Sequence, residues 1–230
     1  MAQERLTAVL KTAPLFAGLD ERELAALTLV ARQRTYPKGQ IIFLEGDPGD
    51  ALYLIVAGEV KVFKLGTEGR EFILTWLRAG DFFGEMSLFD GRPRSASVMA
   101  SEEATLVVLP QRAFLAQVQH SCPILLTCLR TLCHRLRGTD EQVADLALLE
   151  TYQRIAKALL LLGRAIGVPG EAGELVIAPR PTHHELASLV GASRETVTRV
   201  CSALAKQGYL AFRRHAVVIR EALLTQLSEW

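Results

Sequence analysis

No histidine precedes His120 and no cysteine precedes Cys122 in this 230-residue chain. A small-molecule enzyme on a double-stranded β-helix scaffold usually carries a His/Glu metal set inside its barrel, so the missing histidines argue against that class. The four cysteines, Cys122, Cys128, Cys133 and Cys201, have neither pairing rhythm nor metal-ligand spacing. They are expected to be reduced thiols. Long apolar runs are scarce too. No stretch of about eighteen residues escapes a charged or polar break, and the longest apolar cluster, Ala158–Leu162, is far too short to cross a bilayer. The opening Met-Ala-Gln-Glu-Arg has no apolar core of a signal peptide. The expectation is a cytoplasmic protein with no membrane partner.

What is present is ordinary globular composition, half hydrophobic and 22% charged, at a length that suits one large or two modest domains. The net charge of +1 hides an asymmetry. Residues 1–120 carry 13 Lys/Arg against 15 Asp/Glu, residues 121–150 carry 3 against 4, and residues 151–230 carry 10 against 6. The excess positive charge at the C-terminal end points weakly to a polyanion there.

Three regions differ in pattern. After a helical lead-in near Asp20–Ala31, short β-type runs follow at Gln40–Leu44, Leu52–Val56, Glu59–Leu65, Glu71–Leu77, Ser95–Met99 and Ala104–Leu109, punctuated by glycines. This spacing predicts a sandwich or jelly-roll barrel. From Pro123 to Ala147 the pattern is helical. Leu125, Leu129, Leu132, Leu136, Thr139, Val143 and Leu146 alternate spacings of four and three, an a/d seam. Such a helix packs on a copy of itself or on its own domain. Thr139 is the one polar residue in the seam. The third region opens with a helix over Thr151–Ile166 and a Gly/Pro-rich loop, Gly167–Gly173. A strand over Leu175–Ala178, two short helices, and a hairpin of Tyr209–Phe212 with Ala216–Ile219 follow.

Two clusters within these regions carry chemistry. Thr182-His-His-Glu185 is a capping box that opens the first short helix. Gly191-Ala-Ser193 is a tight connection, and Ser193 suits the N-cap of the helix from Arg194 to Leu204. At about 100° per residue, Arg194, Thr198, Glu195 and Arg199 share one face of that helix, and Val197, Val200, Cys201 and Leu204 share the opposite one. Arginine can grip the guanine O6/N7 edge and glutamate can accept from cytosine N4. The other reading of this face is a solvated i,i+4 ion pair of Glu195 and Arg199. The flanking capped helix, and the hairpin tipped by Arg213-Arg214-His215, favour DNA. His183 and His184 lack a third metal ligand and are read as DNA-facing or solvated. The second cluster is Phe83-Gly84-Glu85-Met86-Ser87-Leu88-Phe89 with Gly91-Arg-Pro-Arg94-Ser95-Ala96. Gly84 permits close backbone approach, Glu85–Leu88 can form a short helix whose amides favour an anion, and Arg94 offers a fork for a phosphate. A surface turn with an ordinary arginine would read the same way.

Both clusters closely resemble those of the cyclic-AMP receptor protein / fumarate-nitrate regulator family. Leu186-Ala187, Val190-Gly191, Ser193-Arg194-Glu195-Thr196-Val197 and Arg199 match its recognition motif, and the Gly84–Ser95 segment matches its phosphate-binding cassette. The resemblance covers nearly the whole chain. It implies an α+β fold: an N-terminal β jelly-roll cyclic-nucleotide-binding domain over 1–120, a long dimerisation helix over 121–149, and a C-terminal winged helix-turn-helix over 150–230. It implies an allosteric cyclic AMP ligand, with Arg94 and Ser95 on the phosphate, Glu85 on the ribose hydroxyl helped by the Gly84 backbone, and Thr139 with Asp140 at the base. Asp140 stands where the family pattern has serine. For DNA it implies Ser193, Arg194, Glu195, Thr198 and Arg199, acting on an inverted repeat with TGTGA-like half-sites. The implied role is a homodimeric activator of transcription that contacts RNA polymerase. A ligand-independent regulator, with Arg94 only structural, is the nearer alternative. Iron–sulfur members use N-terminal cysteines and haem members a histidine in the β domain, so no metal, haem or cluster is expected.

Overall fold

The structure, a computed structural model, describes residues 2–223. The stretch 224–230, which the sequence reading assigns to the third region, lies outside the described residues. The chain divides into two compact units, residues 1–64 with 73–138 and residues 65–72 with 139–230.

The first unit begins with helices α1 (Ala2–Thr12) and α2 (Glu21–Val30). Asp20 caps α2 in a full capping box with Glu23. Eight strands follow: β1 (Arg32–Tyr36), β2 (Ile41–Phe43), β3 (Ala51–Ala57), β4 (Glu59–Leu65), β5 (Glu71–Arg78), β6 (Phe82–Phe83), β7 (Ser97–Ala100) and β8 (Ala104–Pro110). The short helix α3 (Glu85–Asp90) sits between β6 and β7, and α4 (Gln111–His120) and α5 (Cys122–Leu148) follow β8. The strands form two sheets, ordered β1-β8-β3-β6 and β2-β7-β4-β5. The jelly-roll expectation is thus met by a two-sheet β unit.

Strand β3 shows how the layers are built. Tyr53 and Ile55 face the apolar cluster shared with Val60, Val98 and Leu106, whereas Leu52 and Leu54 pack with Leu10, Phe16, Phe114 and Ile124 from the helices. Period-2 alternation therefore feeds two cores. A strand buried on both faces reads as a continuous apolar run, as this one does.

The sequence reading has no strand at β1, no strand at β6, and no helix at α1 or α4. Strand β1, Arg32-Gln-Arg-Thr-Tyr36, is exposed except at Tyr36. Its conformation comes from five paired positions on β8 rather than from apolar patterning.

The second unit contains α6 (Thr151–Ile166), α7 (His183–Val190) and α8 (Arg194–Lys206), with a sheet ordered β11-β12-β10-β9. Its strands are β9 (Val168–Pro169), β10 (Leu175–Ile177), β11 (Leu210–Phe212) and β12 (Val217–Ile219). Ile155, Leu159, Leu186, Val197, Cys201, Leu204 and Ile219 form its core. The expected loop at 167–173 is partly ordered: Val168 pairs with Val176 and Pro169 with Leu175, and a 3-10 turn spans Glu171–Gly173. Among the described residues no helix is long and apolar enough to cross a membrane.

Candidate ligand and nucleic-acid sites

Strand β6 turns into α3 at Gly84, whose φ of 83° lies in the left-handed region. A Cβ at this position would stand 2.7 Å from Arg94 Nη1 and 3.1 Å from the Ala51 carbonyl oxygen. Glycine therefore lets the turn close over the guanidinium. Arg94 is only 3% exposed. Its Nη1 donates to the Gly84 carbonyl at 2.7 Å and its Nη2 to the Ala51 carbonyl at 2.8 Å. The guanidinium carbon lies 4.4 Å from the Phe43 ring centroid, and Asp50 Oδ1 is 3.6 Å from Nη2. Burial lowers the Arg94 pKa, opposed by the charges of Tyr53, Asp50, Glu85 and Asp47. A guanidinium stays protonated under such pressure.

Arg94 Nε is buried with no hydrogen-bond partner. An unsatisfied buried donor costs about 1–3 kcal/mol, and a charged one calls for an anionic acceptor. A phosphodiester oxygen fits that requirement. Beside it, Ser95 is exposed, with its Oγ 3.6 Å from Met86 Sδ.

Glu85 is 1% exposed, and its Oε1 accepts from Arg135 Nη1 at 2.6 Å. Arg135, on α5, also donates to the Phe82 carbonyl and lies 5.5 Å from the Phe82 ring centroid. The sequence reading missed Arg135. It lies one helical turn before Thr139 on the same helix face, and that i,i+4 relation was the available signal. Gly84, Glu85, Arg94 and Ser95 are thus brought together in the first unit. Thr139 and Asp140 lie on α5 in the second unit, both exposed.

The second unit builds the other site. Thr182 Oγ1 accepts from Glu185 N at 3.1 Å, and Glu185 Oε2 accepts from Thr182 N at 2.7 Å, so the capping box forms as expected. Gly191 ends α7 at a φ of 65°, and Ser193 Oγ accepts from Thr196 N at 3.1 Å to open α8. Val197, Val200, Cys201 and Leu204 are buried, while Arg194, Glu195, Thr198 and Arg199 are exposed. No ion pair joins Glu195 to Arg199 among the described residues. Hydrogen bonds from its own backbone N–H and from Ser193, then the Arg194 charge, hold the Glu195 carboxyl below its usual pKa. An ionised carboxylate has acceptor sites beyond those two bonds, and no cation closes on them as an ion pair among the described residues. The hairpin of β11 and β12 closes through Arg213 N to Ala216 O at 2.9 Å, leaving Arg213, Arg214 and His215 exposed at its tip.

His183 bridges the two helices. Its Nδ1 lies 2.8 Å from Thr198 Oγ1, and its ring meets Phe212 edge-on at 6.4 Å between centroids. No three His, Cys, Asp or Glu side chains gather as a metal set among the described residues.

Comparison with known proteins bears on both sites. Residues 33–121 match a family model described as a cyclic nucleotide-binding domain, and residues 153–227 match one described as a Crp-like helix-turn-helix domain. The chain is similar to the cyclic AMP receptor protein of Thermus thermophilus, 38% identical over 218 residues that cover 94% of this chain and 97% of that protein. The CRP-like cAMP-activated global transcriptional regulator of Mycobacterium tuberculosis is 36% identical over 214 residues, 93% of this chain and 95% of the relative. Among solved structures, the c-di-GMP-responsive global regulator CLP of Xanthomonas campestris gives a TM-score of 0.76 at 27% identity, over 87% of this chain and 99% of that one. These relatives are transcriptional regulators, not enzymes.

Proposed function

The chain belongs to the Crp-like family of DNA-binding transcription regulators with a cyclic-nucleotide-binding domain, and we propose that it answers to cyclic AMP, works as a homodimer, and reads an inverted repeat with TGTGA-like half-sites. Residues 1–120 then sense the nucleotide, 121–149 dimerise and 150–230 bind DNA.

One observation carries the ligand assignment: the buried Arg94 guanidinium keeps an unpartnered Nε in the same cassette as the buried Glu85 carboxylate. A cyclic nucleotide offers the matching pair, an anionic diester for the arginine and a ribose hydroxyl for the carboxylate. Ser95 adds a hydroxyl to the diester side. Thr139 and Asp140 are assigned to the base by resemblance, and Asp140 can accept from the adenine amino group. The unpartnered Nε favours this reading over the ligand-independent alternative, since a purely structural Arg94 would gain from a partner at every nitrogen.

The dimer rests on α5. Ile124 and Cys128 are buried in the core of the first unit, while Leu125, Leu129, Leu136, Val143 and Leu146 stay exposed, Leu136 at 62%. A heptad-spaced apolar stripe is covered by a matching helix, and a second copy supplies one. For DNA, Arg194 and Arg199 take guanines, Glu195 takes the paired cytosine, and Ser193 and Thr198 support the contact. The Gly167–Gly173 loop is assigned to RNA polymerase by resemblance alone, as part of an activator's role, and a cytoplasmic location follows from that role. To act as a switch, cyclic AMP must bind the DNA-competent conformation better than the resting one.

Calorimetry with cyclic AMP, cyclic GMP and cyclic di-GMP tests the ligand. The expected result is one cyclic AMP per chain and the weakest response to the dinucleotide. Binding of cyclic di-GMP alone, as the name of the Xanthomonas relative suggests for that protein, would replace the assignment. No response to any of the three would restore the ligand-independent reading.

A further inference from the structure

We propose that His183 is a further DNA contact, its ring fixed by Thr198 so that Nε2 is offered to a backbone phosphate beside the bases read by α8. The inference rests on DNA binding through α8.

The tautomer follows from hydrogen-bond accounting. Thr198 Oγ1 has one hydrogen, and it donates that hydrogen to the Arg194 carbonyl at 2.9 Å. The 2.8 Å contact with His183 Nδ1 must therefore have the imidazole as donor. Nδ1 carries the proton in the neutral ring, and Nε2 is left as a bare acceptor with no partner among the described residues. On protonation Nε2 becomes a donor while the Nδ1 bond persists. The ring can change from acceptor to donor without turning.

Its surroundings favour an anion. From α8, Arg194 and Thr198 face the ring. From the segment before α7, Arg180 does so, its guanidinium carbon 5.7 Å from the Phe212 ring centroid. Phe212 of β11 closes the other side, 40% exposed. The Arg180 backbone N–H donates to the His215 carbonyl at 3.0 Å, which ties this segment to the wing. On α7 itself the neighbours are His184 and Glu185, whose carboxylate is taken by Thr182. No carboxylate among the described residues bonds His183. The strip from Arg194 through Thr198, His183 and Phe212 to Arg180 thus sets two cations beside a titratable ring; the Glu195 carboxylate is felt by Arg194, and the ring itself has no anionic partner among the described residues. A DNA phosphate supplies one.

The sign of the pH effect is fixed by that arrangement. Burial, then Arg180 and Arg194, hold the His183 pKa below its usual value in the free protein. A phosphate beside the ring offsets the arginines and favours the imidazolium, so the pKa rises in the complex. Binding then takes up a proton. The added affinity is full below the free-protein pKa and is lost as pH rises through the pKa of the complex.

The test measures duplex affinity from about pH 6 to about pH 8 for wild type, His183→Gln and His184→Gln, on a selected site and on an unrelated duplex. Proton uptake is read by calorimetry in two buffers of different ionisation enthalpy. Wild type and His184→Gln are expected to bind roughly tenfold more tightly at the acid end, on both duplexes, with net proton uptake. His183→Gln should lose both the pH slope and the uptake. A His183→Gln protein that keeps the wild-type slope and uptake overturns the proposal. Failure of the α8 reading is separately visible: Arg199→Ala would then keep the full base preference, whatever the pH arm gives.

Discussion

At the scale of single residues, Arg94 and Gly84 depend on each other. Arg94→Leu leaves the ligand's phosphate unpaired in a partly buried site, a cost on the order of several kcal/mol. Calorimetry should detect no cyclic AMP binding, and retained binding would remove the cassette assignment. Gly84→Ala should weaken binding without touching the ligand directly, since its Cβ would press on Arg94 Nη1 at a backbone φ that alanine resists. Gly84 and Arg94 stood out in the sequence as a turn glycine and a possible phosphate fork, yet the residues alone read equally as a surface turn. The roles proposed for Glu85 and Ser95 came from the family resemblance. Arg135 did not stand out. A helix arginine facing solvent and one closing on a buried carboxylate look alike until the fold places Glu85 beside it.

Among the elements, α5 and α8 were legible because their apolar residues follow a helical period, and the structure extends α5 by only a residue at each end of the sequence reading. Strand β1 and helix α1 were not. The first owes its shape to pairing with β8. The second is an amphipathic segment whose Leu6 and Leu10 find their core only in the folded unit. Two predictions belong to this scale. Glu at both Leu132 and Leu136 would place like charges along the α5 seam, and sedimentation should show wild-type dimers and variant monomers. A monomeric wild type would remove the homodimer. Thr182→Ala removes the acceptor that caps α7, a loss of about 1 kcal/mol that should appear as a lower unfolding midpoint of the second unit. An unchanged midpoint would mean that the cap is redundant.

For the whole molecule, the prediction concerns what sequence is chosen and when. Selection from random duplexes should yield an inverted repeat, its half-sites separated by roughly 34 Å, and only with cyclic AMP present. Arg194→Ala or Arg199→Ala should relax one guanine each, at about 1–3 kcal/mol of discrimination. Changing Arg213 or Arg214 should weaken all sequences alike and flatten the salt dependence. A wild-type consensus without those guanines would show the reading face to be elsewhere. The helix proposed to dimerise also carries its own reporters. Cys128 is buried against the first core, and burial, with the Glu85 charge, pushes its thiol up to about 12, whereas Cys122 and Cys133 on the same helix are exposed. A thiol-specific alkylating reagent should therefore label Cys122 and Cys133 quickly and Cys128 only when α5 lifts from its seat, with Cys201, buried in the second unit, a separate slow site told apart by peptide mapping. The slow labelling rate of Cys128 is a direct clock for that opening, and its change on adding nucleotide would measure how firmly the signal holds the helix down.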